Sequence, residues 1–111
     1  MSTPRSLPLI QGTVDLLVLR ALAGGANHGY GIAELVHDRT DGVLAIEDAA
    51  LYQSLHRLER QGVVDAEWRA SDNNRRARYY TLTSDGRKRL REGAAMWRRY
   101  AHAVEALLGG A

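Results

Sequence analysis

Cysteine is absent from the 111 residues. Disulfides, thiolate metal sites and a cysteine nucleophile are thereby excluded, and the absence fits a reducing cytosol. Lysine is nearly absent: all but Lys88 of the fifteen basic residues are arginine. No stretch approaches the roughly 20 uninterrupted apolar residues of a membrane span, so no membrane partner is expected. Residues 1–8 carry one arginine with no long apolar run after it, so no signal peptide is expected. There is no repeat, low-complexity run or linker. No glycine-rich phosphate loop follows a strand, and no nucleophile motif appears. None of His28, His37, His56 and His102 sits at helical spacing from a second ligand-type cluster. His37-Asp38 with Asp41 reads as a weak cation site or, more simply, as a helix end followed by a turn. An enzyme is not expected, and neither a metal nor a cofactor.

What is present suffices for one domain with one modest core, 45% of the residues being hydrophobic. A domain this small gains from an additional interface. The charge is unevenly placed. Residues 1–56 hold three basic and six acidic side chains, residues 57–111 twelve basic and seven acidic. Arginine suits planar, bidentate contacts to phosphate and guanine. Codon bias accounts equally well for the arginine-to-lysine ratio, but not for the asymmetry.

Periodicity predicts a first helix over residues 13–23, capped by Thr13, with Val14, Leu17, Val18, Ala21 and Leu22 on one face and Gly24-Gly25 after it. A second helix is predicted over 30–39, burying Ile32, Leu35 and Val36. A turn at Thr40-Asp41-Gly42 and a short strand over 43–46 follow, then a third helix over 48–61 that stops at Gly62. The period then changes to two. Val64, Ala66 and Trp68 alternate with Asp65, Glu67 and Arg69, and Arg78, Tyr80 and Leu82 with Tyr79 and Thr81, around a polar turn at Ser71-Asp72-Asn73-Asn74. Thr83 or Ser84 caps a last helix reaching about residue 108. The expected fold is mainly α with a small β-hairpin: a winged helix-turn-helix with a long C-terminal dimerisation helix. Residues 1–83 form the DNA-binding domain and 84–111 the dimerisation helix, in one compact unit.

In the third helix Leu51, Leu55 and Leu58 fall on one stripe and form the buried face. The opposite face carries Ala49, Gln53, His56, Arg57 and Arg60, with Tyr52 at the flank. Glutamine pairs with adenine and arginine with guanine, so this face has what base edges need. An ordinary solvated helix face looks the same when taken alone. The hairpin shifts the balance, because Arg75, Arg76 and Arg78, beside Asn73 and Asn74, crowd cations that a phosphate backbone or narrow minor groove would relieve. Tyr80 with Leu82 is expected inside and Tyr79 near the phosphates. The DNA-contacting set is therefore Ala49, Tyr52, Gln53, His56, Arg57, Arg60, Asn73, Asn74, Arg75, Arg76, Arg78 and Tyr79.

In the last helix Leu90, Ala94, Trp97, Ala101, Val104 and Leu108 follow coiled-coil seam spacing. A second apolar row holds Ala95, Met96, Tyr100, Ala103 and Leu107. One row can meet the first helix; the other implies a partner chain, most simply an identical one, and the dimer interface is expected at the seam residues Leu90, Ala94, Trp97, Ala101, Val104 and Leu108. Gly93, which costs about 1 kcal/mol in mid-helix, permits a close crossing or a bend. Trp97 is an interface anchor or, with Met96 and Tyr100, the lining of a pocket for a small apolar or aromatic effector between subunits.

These residues resemble the PadR family of bacterial and archaeal regulators. The resemblance is carried by His28-Gly29-Tyr30-Gly31-Ile32, by Leu51-Tyr52 with Leu55-His56-Arg57-Leu58-Glu59, by Gly62 and Trp68, and by Arg75-Arg76-Ala77-Arg78-Tyr79-Tyr80-Thr81-Leu82-Thr83 with Gly86. It spans about residues 9–97, and the single last helix is similar to that of the small subfamily. It implies a cytoplasmic, nucleoid-associated homodimeric repressor of nearby genes. Such a repressor binds double-stranded DNA at a pseudo-palindromic operator and is released by a ligand; multidrug-sensing members carry a tryptophan near position 97. The resemblance also implies DNA contacts from Tyr52 and its neighbours and from residues 75–78. The chain departs from the family pattern of Gly-Ser before Leu-Tyr and Pro after it: Ala49, Ala50 and Gln53 stand there, and Asp48 is expected to replace the lost serine cap. The rival reading is a winged-helix module that binds protein or RNA without ligand response, since Asp48, Glu59 and Asp72 weaken attraction to DNA.

Overall fold

The computed structural model describes residues 6–70 and 74–109. The elements run α1 (Thr13–Leu22), β1 (Asn27–His28), α2 (Gly29–Arg39), α3 (Asp48–Arg60), β2 (Val64–Ala70), β3 (Arg76–Leu82) and α4 (Ser84–Gly109). Val18, Leu19 and Leu22 of α1, Ile32 and Val36 of α2, and Leu51, Leu55 and Leu58 of α3 close one core, on which Val64, Tyr80 and Leu82 of the hairpin pack. Each fully buried leucine or valine contributes about 1.5–3 kcal/mol. Leu35 is only half-buried.

Local chemistry sets the boundaries. Thr13 does not cap α1: it is the first helical residue, and its hydroxyl donates back to the carbonyl of Ile10 at 2.6 Å. Asp48 does not cap α3 either; Glu47 holds that position with no side-chain bond, leaving Asp48 as a favourable negative charge in the first turn. Thr83 does cap α4, its hydroxyl accepting from the Gly86 N–H at 3.0 Å. α3 closes with Gly62 at φ 75°, its N–H on the carbonyl of Glu59 and that of Val63 on Leu58. This paired closure needs a left-handed residue and turns the chain into the wing.

Residues 43–46 form no strand. α2 closes in the same way, with Asp41 at φ 52° and Gly42 at φ 78°. The N–H of Val43 is spent on the Thr40 carbonyl and that of Leu44 on the Thr40 hydroxyl, leaving only the Val43 carbonyl for Leu7. The third strand is instead Asn27–His28, which joins the hairpin in the antiparallel order β1-β3-β2, with Asn27 opposite Tyr80 and His28 opposite Tyr79. Two polar residues between helices carry no alternation, so this strand is invisible to a period-two reading.

The first half of α4 lies on α1. A Cβ at Gly93 would come within 3.2 Å of Leu16, so Gly93 marks a close crossing. Leu90 packs on the core edge, whereas Met96, Tyr100, Leu107 and Leu108 are exposed.

Candidate nucleic-acid interface

α3 rests on its leucine stripe and on Ser54, which is fully buried. Ala49, Tyr52, Gln53, His56 and Arg60 are exposed on the outer side. Arg57 is not free there. Its Nη2 donates to Asp15 Oδ1 at 2.5 Å and its Nε to Oδ2 at 3.2 Å, while the Ser54 hydroxyl donates to Oδ1 at 2.6 Å. Burial pushes the Asp15 carboxyl up, but the bonds from Arg57 and Ser54 and the charges of Arg57 and Arg89 hold it below the ordinary carboxylate range. Arg57 thus ties the reading helix to α1.

The wing extends the core-facing row of the hairpin beyond the core. In register, Val64 faces Leu82, Ala66 faces Tyr80, Trp68 faces Arg78 and Ala70 faces Arg76. Val64, Tyr80 and Leu82 are buried, but Trp68 is 55% exposed. Arg78 donates to Glu59 Oε2 of α3 at 2.8 Å, bracing the wing against the reading helix. Asn74, at φ 61°, and Arg75 and Arg76 are exposed near the tip; Asn73 lies outside the described residues. Tyr79 points to the opposite face of the sheet. Its ring meets His28 edge-on at 5.2 Å, and Arg69 lies 5.1 Å above it.

Between the wing and the helices opens a cleft of about 690 Å³ lined by Tyr30, Tyr52, Trp68, Arg75, Arg76 and Arg78, among others. The start of α2 forms its floor. His28 caps that helix through Nδ1, which accepts from the Gly31 N–H at 3.0 Å. Tyr52 lies so close over Gly29 that a Cβ there would come within 2.5 Å of its hydroxyl. An open, cationic and aromatic cleft beside an exposed polar helix face suits a phosphodiester strand.

The sequence matches the model of the transcriptional regulator PadR-like family over residues 18–92. The chain belongs to that family. Three solved structures are similar to this PadR-like chain. A PadR family transcriptional regulator from Eggerthella lenta is 32% identical, with 91% of this chain and 86% of that one covered and a TM-score of 0.76. A transcriptional regulator from Clostridium thermocellum is 26% identical, with 89% and 96% covered and a TM-score of 0.81. A PadR family transcription regulator from Clostridium difficile is 26% identical, with 88% and 100% covered and a TM-score of 0.77. The PadR-like chain is accordingly a winged-helix, DNA-binding transcriptional regulator and not an enzyme. No helix among its described residues is long and apolar enough to cross a membrane.

Sequence reasoning missed the internal commitments of Arg57 and Arg78 and the exposed ring of Trp68. Among the described residues no group of three or more acidic or histidine side chains could hold a metal, and His37 Nδ1 contacts Asp38 alone, at 3.3 Å.

Proposed function

We propose that this PadR-like regulator is a homodimeric repressor of nearby genes. It acts in the cytoplasm, on nucleoid DNA, at a pseudo-palindromic operator. The observation that carries the reading is that Tyr52 of α3 and Arg75, Arg76 and Arg78 of the wing line one open cleft, beside the exposed polar face of α3. Ala49, Tyr52, Gln53, His56 and Arg60 enter the major groove. Asn73, Asn74, Arg75 and Arg76 follow the backbone. Arg57 and Arg78 support these groups through Asp15 and Glu59, and Tyr79 braces the far side of the wing. Residues 1–83 serve as the DNA-binding domain and α4 as the dimerisation helix.

Dimerisation is supported by the exposed Met96, Tyr100, Leu107 and Leu108 and by the outer seam residues Ala101 and Val104. Ligand release is supported by an apolar groove of about 490 Å³ that Leu16, Leu17, Leu90, Ala94 and Trp97 line together with the N-terminal segment. Met96 and Tyr100 do not line it, so the effector site centres on Trp97 and its α1 neighbours. A small apolar or aromatic molecule there would alter the crossing of α1 and α4 and hence the spacing of the two reading helices.

A gel-shift titration against the DNA upstream of the chain's own gene, at two salt concentrations, tests the reading. Specific binding that weakens with salt is expected. Equal affinity for random duplex would overturn it, and tighter binding to RNA would favour the rival module. A flat aromatic ligand should quench Trp97 fluorescence and loosen operator binding, and Trp97→Ala should abolish both effects.

A further inference from the structure

We propose that Trp68 is a positioning residue for DNA binding, its ring holding the Arg76 guanidinium over the cleft where a phosphodiester strand passes; this rests on the DNA-binding reading above. Burial does not account for the ring, which is 55% exposed on a strand whose one buried residue, Val64, lies at the hairpin base. Its contacts are cationic. The Arg76 guanidinium carbon stands 5.6 Å from the ring centroid and that of Arg78 5.7 Å.

Two guanidiniums around one ring repel each other unless one is neutralised. Glu59 neutralises Arg78 at 2.8 Å. Arg76 has no carboxylate partner among the described residues. A chain of contacts therefore runs from α3 through Glu59, Arg78 and Trp68 to Arg76, which neighbours Arg75 near the wing tip. The choice of an aromatic partner has a chemical consequence. A carboxylate would orient Arg76 but occupy its N–H donors and cancel its charge. A π-face orients the guanidinium plane and leaves both the donors and the charge for a phosphate. The ring thus removes rotamer freedom that Arg76 would otherwise lose on binding.

The test is a double-mutant cycle read by fluorescence anisotropy on the duplex from upstream of the chain's own gene, with W68L, R76A and W68L/R76A. W68L should weaken binding by about two- to fivefold, the range of an exposed cation–π contact. In the R76A background the same change should have no further effect, and Trp68→Phe should recover most of the affinity of the parent protein. Full additivity of the two losses, or no loss with W68L, overturns the proposal. Should W68L fail to fold, Trp68→Thr, a good strand former, takes its place in the cycle. If the parent protein binds no duplex, the DNA-binding reading itself fails, an outcome distinct from additivity.

Discussion

A Cβ at Gly86 would stand 2.0 Å from the carbonyl oxygen of Val63, where the chain passes from α3 into the wing. Backbone cannot yield as a side chain can. Gly86→Ala should therefore destabilise by about 3 kcal/mol, the upper end of overpacking costs, measured by urea denaturation. At Gly31 the obstacle is the Asn27 side chain, also at 2.0 Å, which can turn away but then loses its bond to the His28 N–H. Gly31→Ala should cost less, about 1–2 kcal/mol. Asp15 carries a pH dependence. Its folded carboxyl titrates below the unfolded one, so the stabilisation it confers is present above the unfolded value and disappears as pH falls through the folded one. Stability should drop on acidification below about pH 4, and Asp15→Ala should flatten that limb. At neutral pH the same change strands the buried Ser54 hydroxyl and should cost about 1–3 kcal/mol, seen as a lower Tm. The glycines were legible as motif members, but the neighbours that make them obligatory were not.

Among elements, α3 and the wing divide their arginines between two tasks. Arg76→Ala should reduce the slope of log K against log salt by about 0.9, one phosphate contact. Arg57→Ala should instead lower Tm with little change in slope, because its charge is already spent on Asp15. Equal slope changes in the two variants would contradict this division. The stripe of Leu51, Leu55 and Leu58, the alternation of the hairpin and the Thr83 cap were all readable, because each is a regularity within one element. The pairing of Arg57 with Asp15 spans 42 positions and that of Arg78 with Glu59 spans 19, and neither leaves a periodic trace. β1 escaped for a related reason: it is a strand because β3 offers an edge, not because Asn27 and His28 favour one.

For the whole molecule, the decisive quantity is apolar surface left uncovered. α4 has 26 residues and so runs about 39 Å, in a body 55 Å in its longest dimension. Its first half finds α1, while its second half leaves Tyr100 62% and Leu107 87% exposed. Light scattering should give twice the 12.3 kDa chain mass. Tyr100→Glu with Leu107→Glu should give the single-chain mass and weaken operator binding about a hundredfold or more, since the second half-site loses its tether. Retention of the double mass would remove this face from the dimer.

By itself the sequence determined the helix faces, the hairpin and the length and two-sided character of α4, because hydrophobic periodicity is local information. It also marked the reading helix and the wing through residue types that nucleic-acid contacts require. Only the tertiary structure decided which arginines are available. Proximity across the fold gives Arg57 to Asp15 and Arg78 to Glu59, sets the Tyr79 ring against His28, and leaves Arg76 beside an exposed indole over the cleft. A charge becomes a contact for DNA only when no nearer partner neutralises it, and that depends on distances no spacing along the chain encodes.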